Sequence, residues 1–377
     1  MLRLSMGQAI AFRVARHHLD QRAARRDILK VTGDMGGVQA QLMNAAYMSL
    51  WARTEDLMPE DIEDALVKTR TLVKTWAMRG TVHLLPAGDL MVYLKGLSRA
   101  GLHGHAQWLA RRGVDRQTVE RIVNAISRAL ARGPLTRREL SDEVRTRLGT
   151  QMARFVESPW GDVVKDACAR GVVCFGPTRG QEITFVLLDQ WIPAGHRRQL
   201  STDEAEEALL RRYLKSFGPA SLTDFVHWSG IQVAEARPIL ERIKGDVVEA
   251  DVDGRPGLIL KEDVAMLRAV KPRSSVRLLP NFDAYLLGHR DKSHLVESAY
   301  YKLVYRKAGW ISQTVLVDGC VRGTWAHKRA GRRLLIHVQP FAKFSKVVGQ
   351  RIEGEATDLA RFLGLQTAEI QRRSSVR

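Results

Sequence analysis

Two glutamines, Gln39 and Gln41, stand one alanine apart in the stretch Gly36-Gly37-Val38-Gln39-Ala40-Gln41-Leu42-Met43-Asn44. Each amide offers one acceptor and two donors without carrying charge. That chemistry suits holding a water molecule or reading the edge of a base. The glycine pair ahead permits close approach by the backbone or a ligand, and the alanine-rich run that follows, ending near Trp51, has helical composition. On a regular helix, residues two apart point about 200° from one another. The pair can therefore share one small target only at a helix entrance, where the chain is not yet coiled. Two polar residues that merely open a helix give the same pattern, and without further support that plainer assignment is preferred.

The frame for such a pair follows from length and charge. At 377 residues the chain is long enough for several cores, and two to four domains are expected. An apolar fraction of 45% is that of a folded protein, and Lys+Arg 59 against Asp+Glu 41 leaves a net charge of +18. Charge of that size argues for a polyanionic partner, most commonly nucleic acid. The arginines are spread along globular segments, so a folded basic surface is expected rather than a tail. No run of about 18 apolar residues occurs to span a membrane, and Met1-Leu2-Arg3-Leu4-Ser5 lacks a signal-peptide core. Cys168, Cys174 and Cys320 are too few for a disulfide framework and lack zinc spacing. They read as buried small hydrophobes in a reducing cytoplasm. No P-loop, HExxH, GxSxG or dinucleotide fingerprint is present, so neither metal nor cofactor is expected.

Taken in order, residues 1–35 read as polar helix carrying Arg13, Arg16, Arg22, Arg25 and Arg26, a run assigned to a solvated face rather than to phosphate. Pro59-Glu60-Asp61 opens a helix expected to run through Leu66, Thr69 and Val73. Met78 to Pro86 then reads as a strand. Helix, helix, strand is the order of a winged helix, a helix-turn-helix followed by a β wing. A second copy starts at Gly133-Pro134 with the capping box Thr136 to Glu139. It continues through a helix from about Trp160 to Arg170 and two strands, 171–176 and 182–186, around the turn Thr178-Arg179-Gly180. A third starts at Gly218-Pro219, its cap Ser221 lying 85 positions after Thr136, and ends in a hairpin around Asp253-Gly254. From about Arg277 the chain reads as mostly β, closed by a helix over about 347–364 and a frayed tail, Gln371–Arg377. The expected class is α+β, with tandem winged-helix domains at 1–115, 116–198 and 199–275 and a C-terminal β-rich segment at 276–377.

At Gly37-Val38-Gln39-Ala40-Gln41, taken with Thr75-Trp76-Ala77-Met78-Arg79-Gly80-Thr81-Val82-His83-Leu84, the chain resembles the winged-helix DNA glycosylases of the AlkZ and YcaQ type. Further matches are Gly218-Pro219-Ala220-Ser221, Trp228-Ser229-Gly230, the run from Leu279 to Arg290, and Gly323-Thr324-Trp325. The resemblance spans nearly the whole chain. It implies a C-shaped molecule whose concave basic surface takes duplex DNA. It also implies that Gln39 and Gln41 supply the catalytic side chains, in the Gln-x-Gln version associated with unhooking interstrand crosslinks.

An N7-alkylated guanine already carries positive charge, so its departure needs no protonation. What remains is to hold water against C1′ as oxocarbenium character grows, a task of position more than of proton affinity. Gln41 is expected to hold that water and Gln39 to contact sugar, phosphate or lesion, with Arg79 and Arg179 as candidate phosphate contacts. Either arginine could equally be an exposed strand-edge residue. The expected protein is a cytoplasmic, nucleoid-associated monomer acting on alkylated or crosslinked guanine in duplex DNA, either in base excision repair or in self-resistance to an alkylating antibiotic. The rival is a non-catalytic winged-helix regulator, which would usually dimerise and read one sequence. An RNA or single-strand binder is weaker, for want of an RNP-like aromatic pattern. His103 and His105 lack a third ligand, and His83 reads as buried. Asp283 reads as structural, and Trp51, Trp76, Trp228 and Trp325 read as core anchors.

Overall fold

Strands form where β-branched and aromatic residues cluster. In chain order they are β1 (Leu2–Leu4), β2 (Val38–Gln39), β3 (Leu72–Trp76), β4 (Val82–Pro86), β5 (Leu135–Thr136), β6 (Val173–Phe175), β7 (Thr184–Leu187), β8 (Val247–Val252), β9 (Arg255–Leu260), β10 (Val276–Leu279), β11 (Thr314–Val317), β12 (Cys320–Ala330), β13 (Arg333–Pro340) and β14 (Thr367–Arg372). The computed structural model describes residues 1–158, 161–196 and 199–372, without the side chains of 100–106 and 372. The fold is mixed α and β, and it divides into two compact units. One comprises Met1–Ile62, Arg211–Trp228 and Arg242–Arg377, and the other Glu63–Leu210 and Ser229–Glu241.

In the first unit, β10 to β14 form one sheet in sequence order, antiparallel except for the parallel pair of β13 and β14. Along β13, Leu334, Ile336 and Val338 alternate into the core with more exposed residues between them. The helix Lys346–Phe362 contributes Ile352, Ala356, Leu359 and Phe362 to the same unit's interior. The tail expected to fray from Gln371 is instead held in β14 as far as Arg372; residues 373–377 lie outside the described set.

A second sheet corrects the reading of residues 1–35 as helix. Leu2 to Leu4 lie parallel to Ala250 to Val252 of β8, which pairs in turn with β9. Leu4, Phe12, Val252, Ile259 and Leu267 share the core beneath. Ser5 then starts the helix Met6–Arg16 through a capping box with Gln8, and Asp253 accepts from the Met6 N–H at 2.8 Å. Most of the arginine run is likewise structural. Arg13 is buried and donates to the Pro219 carbonyl, Arg16 pairs with Asp263, Arg22 with Asp358 and Glu355, and Arg25 with Asp61.

In the second unit, β3 and β4 pair antiparallel, and β5, β7 and β6 make a further sheet. The expected helix through Val73 is wrong at its end: helical structure stops at Lys68, and Leu72-Val73-Lys74-Thr75-Trp76 is strand, as its β-branched and aromatic content favours. Trp76 packs at 4.7 Å from Phe175 and 6.4 Å from Phe185, ring centre to ring centre, joining the two sheets. The capping box at Thr136 and Glu139 starts the helix Arg137–Leu148. The helix expected from Trp160 runs Asp162–Ala169, and Trp160 itself is outside the described residues. Among the described residues no helix is long and apolar enough to cross a membrane. Cys168 and Cys174 are buried, whereas Cys320 is half-buried.

Candidate active site

The chain reaches the glutamines through a tight reversal. The helix Ile28–Asp34 ends, and Gly36 and Gly37 follow with φ of 70° and 90°, a region that residues with a Cβ avoid. A Cβ on Gly36 would lie 3.2 Å from the Phe217 ring and 3.3 Å from that of Trp228. Gly36→Ala is therefore expected to lose about 1–2 kcal/mol of stability from the left-handed conformation alone, with ring displacement added. Urea unfolding of the variant checks this.

Beyond the reversal the chain is extended through Val38 and Gln39, and Leu42 is extended again (φ −111°, ψ 108°) just before the helix Met43–Trp51. Extended chain sends alternate residues to opposite sides. Val38 and Ala40 are 1% and 2% exposed, while Gln39 is half-buried and Gln41 is exposed. Gln39, at the end of β2, and Gln41, just before the helix, are thus both more exposed than the packed Val38 and Ala40. The pair stands at a helix entrance, as expected: Gln41 directly precedes Leu42, the residue before the helix.

The helix that follows is fixed at its far end. Arg53 and Asp283, both fully buried, form a two-pronged ion pair at 2.8 and 2.7 Å, and the Ser49 hydroxyl donates to Asp283 at 2.9 Å. Burial alone would raise the Asp283 carboxyl, but the Arg53 charge and the hydrogen bonds from Arg53, the Tyr285 N–H and Ser49 hold it below its ordinary value. Trp51 donates to Asp358 at 2.9 Å beneath the Arg22 guanidinium, 4.9 Å from its ring centre. Asp283 is structural, as read from sequence, but its main partners are Arg53 and Ser49, which the sequence did not single out.

The other candidates have different surroundings. Arg79 sits in the turn between β3 and β4 with φ of 54°, packed against the backbone at Gly230. Burial draws its guanidinium down to about 10. Arg179 lies in the connection between β6 and β7 of the same unit, donating to Glu139 at 2.6 Å and to the Pro134 carbonyl at 3.0 Å. His83 is buried; desolvation, then the charge of Arg79, lowers it to about 3, so it is neutral at physiological pH. Trp51, Trp76, Trp228 and Trp325 are buried as expected. The side chains of His103 and His105 lie outside the described residues. No group of three or more His, Cys, Asp or Glu is placed to hold a metal among the described residues.

The family described as DNA glycosylase AlkZ-like matches residues 32–362, so the chain belongs to the AlkZ-like DNA glycosylases and is an enzyme acting on N-glycosyl bonds. An interstrand DNA cross-link repair glycosylase of Streptomyces sahachiroi is 32% identical over 376 residues, 98% of this chain and 100% of that protein. The solved structure of the Streptomyces sahachiroi DNA glycosylase AlkZ matches with a TM-score of 0.87 at 30% identity, covering 99% of this chain and 100% of the other. The resemblance read from the glutamine motif thus holds across the chain, and a non-catalytic regulator is not favoured.

Proposed function

We propose that this enzyme is a monofunctional glycosylase that releases cationic N-alkylated purines, N7-alkylguanine above all, and unhooks interstrand crosslinks, as its Streptomyces relative is named for. The observation that carries the reading is the pair Gln39 and Gln41 leading into the helix Met43–Trp51, Gln39 half-buried and Gln41 exposed at the mouth of that helix. In this scheme Gln41 accepts a hydrogen bond from the attacking water through its amide carbonyl and holds it against C1′. Gln39 contacts the sugar, phosphate or lesion. The leaving base carries away the electron pair of the broken bond and becomes neutral, so no general acid is needed; the positive charge passes to C1′, the held water adds there, and its proton is lost to solvent. Working as a monomer on a duplex whose bases are tethered, the enzyme would grip by phosphate contacts from tandem winged-helix modules, in general repair or in self-resistance.

Release of base from duplex DNA carrying N7-methylguanine, and unhooking of a crosslinked oligomer, test the proposal; failure on both substrates would end it. Arg79 and Arg179 are the proposed phosphate contacts. For Arg179 a phosphate would share or replace Glu139, and exchange at so exposed a pair costs little. Arg179→Ala is expected to weaken binding to every duplex sequence alike and to flatten the log–log salt dependence by about 0.9. An unchanged salt slope in anisotropy titrations removes Arg179 from the contact set.

A further inference from the structure

The segment from Tyr300 to Ser312 carries chemistry that the glutamine site leaves unused. It reads Tyr300-Tyr301-Lys302-Leu303-Val304-Tyr305-Arg306-Lys307-Ala308-Gly309-Trp310-Ile311-Ser312. Tyr301, Leu303 and Trp310 are 42%, 39% and 40% exposed, and Lys302, Arg306 and Lys307 are exposed among them. Among the described residues, no carboxylate forms an ion pair with any of these three cations. Three exposed arginines elsewhere, Arg179, Arg255 and Arg322, are by contrast each paired with an acid. Apolar surface gathered in one place marks a contact site, and unpaired positive charge beside it selects a negatively charged partner.

The loop is already shaped. The Arg306 N–H donates to the Trp310 carbonyl at 2.8 Å, the Ser312 N–H to Val304 at 2.9 Å, and the Ser312 hydroxyl to Leu303 at 2.8 Å. Tyr305 is tied down by donating to the Leu286 carbonyl at 3.0 Å. Trp310 stands edge-on to Phe282, ring centres 5.1 Å apart, and Phe282 immediately precedes the Asp283 that holds Arg53 and Ser49. A preformed surface loses little ordering entropy when it binds.

We propose that this loop receives an unpaired nucleobase of the DNA, stacked on Trp310, with Lys302, Arg306 and Lys307 meeting the neighbouring phosphates. A π-face serves any base, and alternating cations follow the backbone, the combination by which proteins hold unpaired strands. Opening a crosslinked or damaged step leaves a base without its partner, and this loop gives it a place to stack. The inference rests on the enzyme's DNA substrate, and it does not depend on which residue holds the water.

Fluorescence anisotropy with undamaged, labelled duplexes tests it, one fully paired and one carrying a single bulged base. Wild-type protein is expected to favour the bulged duplex. Trp310→Ala is expected to lose about tenfold for that duplex and to leave the paired one unchanged, whereas Trp310→Phe keeps most of the preference. Replacing Lys302, Arg306 and Lys307 with Gln is expected to flatten the salt dependence by about two units or more. The proposal is overturned if Trp310→Ala weakens both duplexes equally or neither. It is overturned equally if the patch proves to be a protein contact, seen as self-association in sedimentation that Trp310→Ala abolishes. Failure of the wild type to bind either duplex would remove the DNA grip itself. Excision assays on the glutamine variants separate that failure from a misassigned catalytic pair.

Discussion

Gln41→Ala should cut base release from N7-methylguanine duplex by roughly a hundredfold or more while leaving duplex affinity nearly unchanged, because a lost water-positioning group acts on the chemical step. Gln41 is exposed and its neighbours Val38 and Ala40 supply the packing, so the truncation is expected to stay within about 0.5 kcal/mol of wild-type stability. Single-turnover release kinetics and anisotropy on the same substrate separate the two effects. Gln39→Ala is expected to lose release as well, with a larger share appearing in substrate affinity if this amide contacts sugar or phosphate. Release by Gln41→Ala at the wild-type rate would contradict the assignment, however well the protein bound DNA. Gln41→Glu sharpens the comparison: a carboxylate would still hold water, so its activity measures how far neutrality of the amide matters.

The features legible in the sequence are those that local chemistry decides. The capping boxes at Thr136 and Glu139 and at Ser221 and Asp224 needed only four residues each to be recognised, and both are formed. The hairpin at Asp253-Gly254 is equally local, with Asp253 at φ 48° and Gly254 at φ 80°. What sequence reading missed is non-local. Leu2 to Leu4 look like the start of a helix until β8 lies beside them, 248 positions on at Leu2 and Ala250. β14 escapes notice for the same reason, since its parallel partner β13 is reached only across an intervening helix. The glutamine pair was singled out by residue type and spacing, and its place at a helix entrance was expected, but not the strand that ends at Gln39. Whether Gln39 is coiled or extended depends on the glycine reversal before it and on Ala40 being driven into the core after it. The ends of the Arg53 and Asp283 pair are 230 residues apart, and no local pattern announces that they meet.

Arg53→Met should destabilise the first unit by about 3–5 kcal/mol, because it strands the Asp283 carboxylate in a fully buried site after removing both of its charged hydrogen bonds. That far exceeds the 0–1 kcal/mol of an exposed pair such as Arg179 with Glu139. The double variant Arg53→Met with Asp283→Leu should recover much of the loss, since two apolar groups leave no unpaired charge. A thermodynamic cycle from urea unfolding, read on the first transition because two compact units need not unfold together, measures the coupling. The pH dependence has a definite sign. Asp283 titrates below its ordinary value in the folded protein, so its contribution is fully present above about pH 4 and is lost as pH falls further, through the folded pKa. Function should follow the same anchor. Ser49 lies on the helix that begins just after Gln41 and Arg53 just beyond its end, so freeing Asp283 loosens the base of the segment bearing the glutamines. At a temperature where Arg53→Met remains folded, release should slow more than duplex binding weakens. Wild-type release by that folded variant would show that the buried pair supports the fold alone and leaves the positioning of Gln41 to the glycine reversal.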